Sequence, residues 1–327
     1  MQSMCTAATY KTKDHYFGRN LDLEYSYHET VTVTPRNYPF HFRKVNDLMQ
    51  HYAMIGMAYV VEDYPLYYDA TNEKGLSMAG LYFPGNADYK PETRGMDNVA
   101  TFELIPWILG QCGNMAEVRA LLEHINIWNE NFSAKLPASP LHWMISDREE
   151  SIVVEAVSDG LKIYDNPVGI LTNNPPFDLQ MFHLSNYMNV SASEAENRFS
   201  KKIDLKACSK GMGGLGLPGD LSSASRFVKA AFTRLNSVSG DSESESISQF
   251  FHILGSVEQQ RGCVRLENHL YEMTVYSSCC NTDKGIYYYT TYENSQISGV
   301  DMHKENLDGR QLICYPLIQN QQIHMQN

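Results

Sequence analysis

Apolar residues recur along the chain at two different periods, and the switches between them divide it into five blocks. The first block, about the first 85 residues, reads as strands. Cys5 to Tyr10, Tyr16 to Asn20 and Thr30 to Thr34 are short and rich in β-branched or aromatic residues, with a plausible hairpin turn at Lys13-Asp14. Met54 to Val61 and Leu76 to Phe83 are apolar runs closed by charge or by Pro-Gly. Helices follow. Asn114-x-x-Glu117 has the form of a capping box, with Val118, Leu121, Leu122 and Ile125 at helical spacing behind it. Thr101 to Gln111 is apolar on one side, and Pro106 must kink that helix or sit in its first turn. Strands return at Leu141 to Ser146, Ser151 to Val157 and Leu161 to Tyr164. Val168 to Thr172 then runs into the breaker Asn173-Asn174-Pro175-Pro176, and a helix is expected over Phe177 to Met188.

After a glycine-rich stretch from Lys210 to Ser223, two further helices are expected. Ser225 to Leu235 places Val228, Phe232 and Leu235 on one face, and Ser242-x-x-Glu245 caps a helix striped by Ile247, Phe250, Phe251 and Leu254. Three strands close the chain, at Tyr271 to Ser278, Gly285 to Tyr292 and Gln296 to Met302. Strands, helices, strands, helices, strands is an α+β order, not a βαβ alternation. No repeat and no polar linker interrupts it, so a single domain is expected.

Composition narrows the possible partners. The 327 residues, 43% of them hydrophobic, can bury a sizeable core. A net charge of −12 argues against nucleic acid and anionic membrane, and an anionic substrate would need a local arginine against that field. No apolar run reaches the length of a membrane span, and the N-terminus lacks the apolar core of a signal peptide. The seven cysteines are odd in number and scattered, with no C-x-x-C pair. A reducing cytoplasm fits them better than a disulfide framework. In a strand, Cys279 and Cys280 point to opposite faces, as two separate thiols.

The candidate chemistry starts at Cys5, with Arg19 and Asp22 one hairpin away. If Met1-Gln2-Ser3-Met4 is absent or removed, Cys5 carries both a thiol and a free α-amine, so nucleophile and base belong to one residue. The amine titrates near ~8 and the thiol near ~8.5, close enough to exchange a proton. Arg19 could hold the thiolate and Asp22 could accept from the amine. The plainer reading is a small buried hydrophobe in an apolar strand. Asn173 closes a strand at a tight turn, where a side-chain amide can serve an oxyanion hole or simply shape the turn. Arg226 opens a helix, an unfavourable place for a cation unless a specific anionic partner meets it. Gly211-x-Gly213-x-x-Gly216 matches a dinucleotide fingerprint but lacks the strand before and the helix after. None of the eleven histidines sits at zinc-ligand spacing, and a thiol-protease pair such as Cys112 with His142 rests on residue type alone.

Taken together, Met4-Cys5-Thr6, Phe17-Gly18-Arg19-Asn20-Leu21-Asp22, Asn72-Glu73-Lys74-Gly75-Leu76 and Ala79-Gly80-Leu81 resemble the choloylglycine hydrolase family, which includes bile salt hydrolases and penicillin V acylases. Leu171-Thr172-Asn173-Asn174-Pro175, Gly216-Leu217-Pro218-Gly219-Asp220, Ser225-Arg226-Phe227 and Gln249 to Leu254 extend the resemblance over nearly the whole chain. The resemblance implies an N-terminal-nucleophile αββα fold over residues 5–327, two antiparallel sheets between helical layers, with residues 1–4 as a leader removed or absent in the mature enzyme. It implies a cytoplasmic homotetramer that cleaves glycine- or taurine-conjugated bile salts, with no metal or organic cofactor. Cys5 would be the nucleophile and its amine the base, Arg19 would lie beside the thiol, and Asp22 would hold the amine. Asn173 and the Tyr82 main-chain N–H would form the oxyanion hole, with Arg226 completing the network. Leu21, Tyr27, Val61, Phe132 and Leu136 would line the apolar substrate pocket, and Lys210 to Asp220 would join subunits.

Two departures keep other readings open. Gln2 blocks ordinary methionine removal, so a chain retaining its leader would be a precursor or a binder of an amphipathic acid. Tyr82 stands where bile salt hydrolases of this branch usually carry Asn and penicillin V acylases carry Tyr.

Overall fold

Most of the strands fall into two stacked antiparallel sheets whose central strands are buried on both faces, while Asp97–Ala100 and Ile125–Trp128 pair in parallel apart from them. The computed structural model describes residues 4–327. In chain order the strands are β1 (Met4–Lys11), β2 (His15–Leu23), β3 (Thr30–Thr34), β4 (Met54–Val61), β5 (Tyr64–Asn72), β6 (Ser77–Tyr82), β7 (Asp97–Ala100), β8 (Ile125–Trp128) and β9 (Leu141–Ser146). There follow β10 (Ser151–Val157), β11 (Gly160–Asp165), β12 (Ile170–Leu171), β13 (Val264–Arg265), β14 (Tyr271–Asn281), β15 (Ile286–Thr291), β16 (Asn294–Asp301) and β17 (Ile313–Pro316). The helices are α1 (Leu104–Gln111), α2 (Met115–Leu122), α3 (Phe177–Leu184), α4 (Ser223–Asn236) and α5 (Glu243–Gly255).

One sheet runs β12-β1-β2-β14-β15-β16, with β13 on β14; the other runs β11-β10-β9-β6-β5-β4-β3-β17. Helices α4 and α5 cover the first sheet, and α1 lies against β5 and β6 of the second. The result is helix, sheet, sheet, helix. Alternation assigns residues to its two apolar layers: in β9, Met144 packs between the sheets, while Trp143 and Ile145 face α1 and α2.

Local chemistry sets the helix starts. The Asn114 side chain accepts the Glu117 N–H at the head of α2. Ser242 and Glu245 cap α5 reciprocally, as expected. Pro106 lies in the first turn of α1, where its missing N–H costs nothing. The glycine-rich stretch is a loop with Gly211 and Gly216 at φ of 81° and 103°, preceded by no strand. It lacks the strand-to-helix frame of a dinucleotide site. The stripe ascribed to the α2 helix ends earlier than its spacing implied, since Ile125 belongs to β8. The helix expected over Phe177 to Met188 stops at Leu184 and continues as a single 3₁₀ turn, Ser185–Tyr187. No helix among the described residues is long and apolar enough to cross a membrane.

Candidate active site

The antiparallel register of β1 and β2 pairs Cys5 with Leu21, Ala7 with Arg19, Thr6 with Asn20 and Met4 with Asp22. Paired residues share a face and successive residues alternate. Cys5, Arg19 and Leu21 therefore point into the gap between the sheets. Thr6, Asn20 and Asp22 point toward α4 and α5. Gly18 lets β2 approach β14 closely, since a Cβ there would lie 2.0 Å from the Ser278 carbonyl oxygen. On β14 the register shifts between Thr274, opposite Asp22, and Tyr276, opposite Leu21. The extra residue turns Thr274 and Tyr276 to opposite faces, one serving each half of the site.

On the inter-sheet face, the Arg19 Nη1 donates to the carbonyls of Gly80 at 2.6 Å and Tyr68 at 3.0 Å, both on the facing sheet. Burial opposes its charge, but nearby Cys5, Tyr276 and Asp69 outweigh that and raise its pKa. Asp69 receives hydroxyl bonds from Tyr276 at 2.9 Å, Tyr287 at 2.8 Å and Ser278 at 3.4 Å. Burial pushes its carboxyl upward, while Arg19 and those hydroxyls pull it back.

On the helix face, Arg226 reaches from the first turns of α4 to β1. Its Nη1 donates to the Cys5 carbonyl at 2.7 Å and to Thr6 Oγ1 at 2.6 Å, and its Nη2 to Asn173 Oδ1 at 2.8 Å. Burial pulls its pKa down, against the pull of Asp22 and Cys5. Asp22 Oδ2 lies 3.8 Å from Nη1, and Oδ1 accepts from Thr274 Oγ1 at 2.6 Å. Burial pushes Asp22 up to about 6, despite Arg226, Thr274 and Arg19.

Asn173 joins the two faces. Its Oδ1 accepts the Cys5 N–H at 2.7 Å, and its Nδ2 donates to the Tyr82 carbonyl at 2.8 Å. Its main-chain N–H donates to Ser223 Oγ, and its carbonyl accepts from Gln180 Nε2. The Tyr82 backbone faces the same way. Phe83 N–H bonds the Pro140 carbonyl, so by the alternation of an antiparallel ladder the N–H and C=O of Tyr82 turn away from β9. β5 pairs β6 only as far as Ala79, which leaves that edge open beside Asn173.

His142 is committed elsewhere. Its Nε2 donates to the Thr172 carbonyl at 2.8 Å, its Nδ1 meets Glu155 Oε1 at 2.9 Å, and its ring stacks on Phe83. Both nitrogens are thus engaged in holding the strand end before Asn173, which leaves none for Cys112. The seven cysteines are unbridged, Cys279 and Cys280 included.

The five pocket candidates lie on different elements and loops. Leu21 adjoins Cys5. Val61 faces Tyr64 across the tip of the β4–β5 hairpin, and the Phe132 ring lies 5.6 Å from Tyr64 and 5.2 Å from Phe102. Tyr27 is half-buried with its ring 5.0 Å from that of Tyr25. Leu136 sits across a bridge from Ser133. Of the leader, residues 1–3 lie outside the described residues, whereas Met4 is paired in β1. Sequence reasoning passed over Thr6, Asp69, Gln259, Glu272 and Thr274. A buried acid in an apolar strand such as Tyr-Glu-Met-Thr-Val-Tyr was the available signal for Glu272.

The model of the linear amide C–N hydrolases, choloylglycine hydrolase family, matches residues 5–315. A bile salt hydrolase/transferase of Lactiplantibacillus plantarum is 59% identical over 324 residues, covering 99% of this chain and all of that protein. One from Clostridium perfringens is 40% identical and covers 95% of this chain and 96% of its own. A crystal structure of a conjugated bile acid hydrolase variant from Clostridium perfringens superposes with a TM-score of 0.91 at 38% identity, over 99% of this chain and 100% of that one. A penicillin V acylase from Agrobacterium tumefaciens shares the fold alone, with a TM-score of 0.72 at 18% identity over 94% of this chain and 90% of its own. The chain belongs to the choloylglycine hydrolase family. It is an enzyme acting on linear amide C–N bonds, built as an N-terminal-nucleophile αββα sandwich.

Proposed function

We propose that residues 5–327 form one hydrolase unit that cleaves the amide of glycine- or taurine-conjugated bile salts, with Cys5 as an N-terminal nucleophile. The observation that carries this reading is the convergence of Asn173 and Arg226 on the Cys5 main chain, with Asp22 3.8 Å from Arg226, while the Cys5 side chain shares the opposite face with Arg19. Bile salt hydrolases among the relatives supply the substrate class. With Met4 attached, the Cys5 nitrogen is an amide and cannot act as a base. Release of the segment ahead of Cys5 turns it into an amine.

The amine takes the thiol proton, and the thiolate, held by Arg19, attacks the amide carbon. The oxyanion is received by the second hydrogen of Asn173 Nδ2 and by the Tyr82 N–H. The Cys5 ammonium protonates the departing nitrogen of glycine or taurine, leaving a thioester. The amine then takes a proton from water, the hydroxide attacks the thioester carbonyl, and the ammonium returns the proton to the thiolate. Asp22 steadies the ammonium each time it forms. Leu21, with Tyr27, Val61, Phe132 and Leu136 at the mouth, receives the steroid, gaining about 25 cal/mol per Å² of apolar surface before association costs.

Intact mass followed by release assays tests the reading. A chain beginning at Cys5 should liberate glycine or taurine, and a processed chain that liberates neither overturns it. Retention of Met1 to Met4 with ligand binding and no turnover would support the binder instead. Tyr82 favours a second reading, penicillin V acylase, which fails if phenoxyacetic acid is not released. Scattered, unbridged cysteines support a reducing cytoplasm, and exposed Phe182, Met188, Phe199 and Leu215 support a homotetramer joined near Lys210 to Asp220, testable by light scattering.

A further inference from the structure

A second buried acid lies one residue behind the nucleophile. Glu272 on β14 is 1% exposed, and its Oε1 accepts the Met4 N–H at 2.5 Å. Gln259, fully buried after α5, reaches the same residue. Its Nε2 lies 3.8 Å from the Met4 sulfur, and its Oε1 has no hydrogen-bond partner among the described residues. Asp22 is the cross-strand partner of Met4. Thr274 links the walls, donating to Asp22 and accepting the Gln259 N–H at 2.8 Å. A buried amide oxygen without a partner is costly and calls for a ligand or a water.

The Met4 carbonyl carbon is bonded to the Cys5 nitrogen. When the segment ahead of Cys5 leaves, the Met4 slot therefore opens directly onto the new α-amine. Oxygens of Glu272, Gln259 and Asp22 line it, and a departed methionine leaves ample room for a water with the two to four polar partners it needs. We propose that this slot is a water site of the active enzyme, and that Glu272 is a positioning residue which, through that water, governs the protonation of the Cys5 amine. The inference rests on the reading of Cys5 as an N-terminal nucleophile.

The groups facing Glu272 are Met4 of β1, Asp22 of β2, Glu24 just beyond it and Arg226 of α4. Burial dominates and pushes Glu272 up to about 8, with the Met4 N–H and Arg226 lowering it and Asp22 and Glu24 raising it. Protonated, the carboxyl donates to the slot water and the amine stays a free base. Ionised, it draws a proton onto the amine, which can then no longer accept one from the thiol. Turnover should therefore decline on the alkaline side as Glu272 ionises.

The test is the pH profile of amino-acid release by the chain beginning at Cys5, as wild type, Glu272→Gln and Gln259→Leu. The wild type should lose several-fold in kcat on the alkaline side of neutrality. Glu272→Gln should keep the neutral kcat within about threefold and lose that decline. Gln259→Leu should lower kcat about tenfold at neutral pH with KM within about twofold, because the slot lies behind the nucleophile and away from the acyl group. An alkaline decline unchanged in Glu272→Gln, or an unchanged kcat in Gln259→Leu, overturns the slot while wild-type turnover leaves the nucleophile standing. If Glu272→Gln fails to fold, Gln259→Leu decides. Absence of wild-type turnover overturns both.

Discussion

Arg19 and Arg226 are both 1% exposed and approach Cys5 from opposite faces of one strand, yet they are held in different ways. Arg226 gives its hydrogen bonds to four neutral oxygens, those of Leu221, Cys5, Thr6 and Asn173, with the Asp22 carboxyl further off at 3.8 Å. Burial lowers its pKa. Arg19 donates to two carbonyls of the facing sheet, and its pKa is raised by Cys5 and by an acid, Asp69, that is itself held by hydroxyls. The first arginine works as a clamp that fixes backbone and amide positions. The second supplies a field at the thiol. A buried charge can thus be kept for its shape or for its potential, and the partners reveal which.

The largest effect tests what both arginines serve. Cys5→Ser should lower release of glycine or taurine by about 10³-fold or more, because the hydroxyl is a far poorer nucleophile than a thiolate. Near-wild-type rates would move the nucleophile elsewhere. Arg19→Leu should lower kcat by about 100-fold and destabilise the fold by about 3 kcal/mol, since Asp69 loses its counter-charge. Adding Asp69→Asn should restore much of the melting temperature but not kcat, and a cycle showing no coupling would break the field description.

Arg226→Lys keeps the charge and removes the fork. It should cost about 2–3 kcal/mol in a denaturant melt and about tenfold in kcat, and an unchanged melt would make Arg226 something other than a clamp.

Asp22 gives a pH signature. Its pKa is raised from 3.8 to about 6 on folding, mainly by burial. The protonated form favours the folded state, so its contribution is fully present below about pH 4 and lost as pH rises through about 6, to a total of about 3 kcal/mol. In a chain retaining Met4, Asp22→Asn should therefore gain melting temperature over the wild type across that window and level off above it. In a chain beginning at Cys5 the ammonium beside Asp22 should shrink the gain. The smallest effect is expected at the mouth. Tyr82→Asn keeps the backbone donor and should leave bile salt turnover within about threefold, shifting the ratio of bile salt to penicillin V rates. An unchanged ratio removes the side chain from specificity.

Much of this was legible in the residues. Thr30–Thr34, Met54–Val61, Leu141–Ser146 and Ser151–Val157 form strands with the expected bounds, because each alternates cleanly or runs apolar between breakers. β5 was not legible. Pro65 demotes it as a strand, and its buried Asp69, Thr71 and Asn72 read as loop until their partners are known. Tyr276, Tyr287, Leu109 and Cys112 satisfy Asp69 and Asn72 from far along the chain, and no local pattern carries that information. The short β7, β8, β13 and β17 fall below the length at which period is readable. For the site, motif order brought forward Cys5, Arg19, Asp22, Asn173 and Arg226. The bulge in β14 that turns Thr274 and Tyr276 apart is a property of pairing and invisible in one strand.

The strand that carries Cys5 is made well before the partners that complete its site. Its neighbours in space stand 168 residues away at Asn173 and 221 at Arg226, and the Asp22 carboxyl waits for Thr274, 252 residues further on. A chain emerging from the ribosome therefore gains these partners one by one, and the full set exists only once β14 has been synthesised. A message cut short before β14 would yield a polypeptide with every early motif and no working centre. Catalysis by this protein is a certificate that translation passed β14.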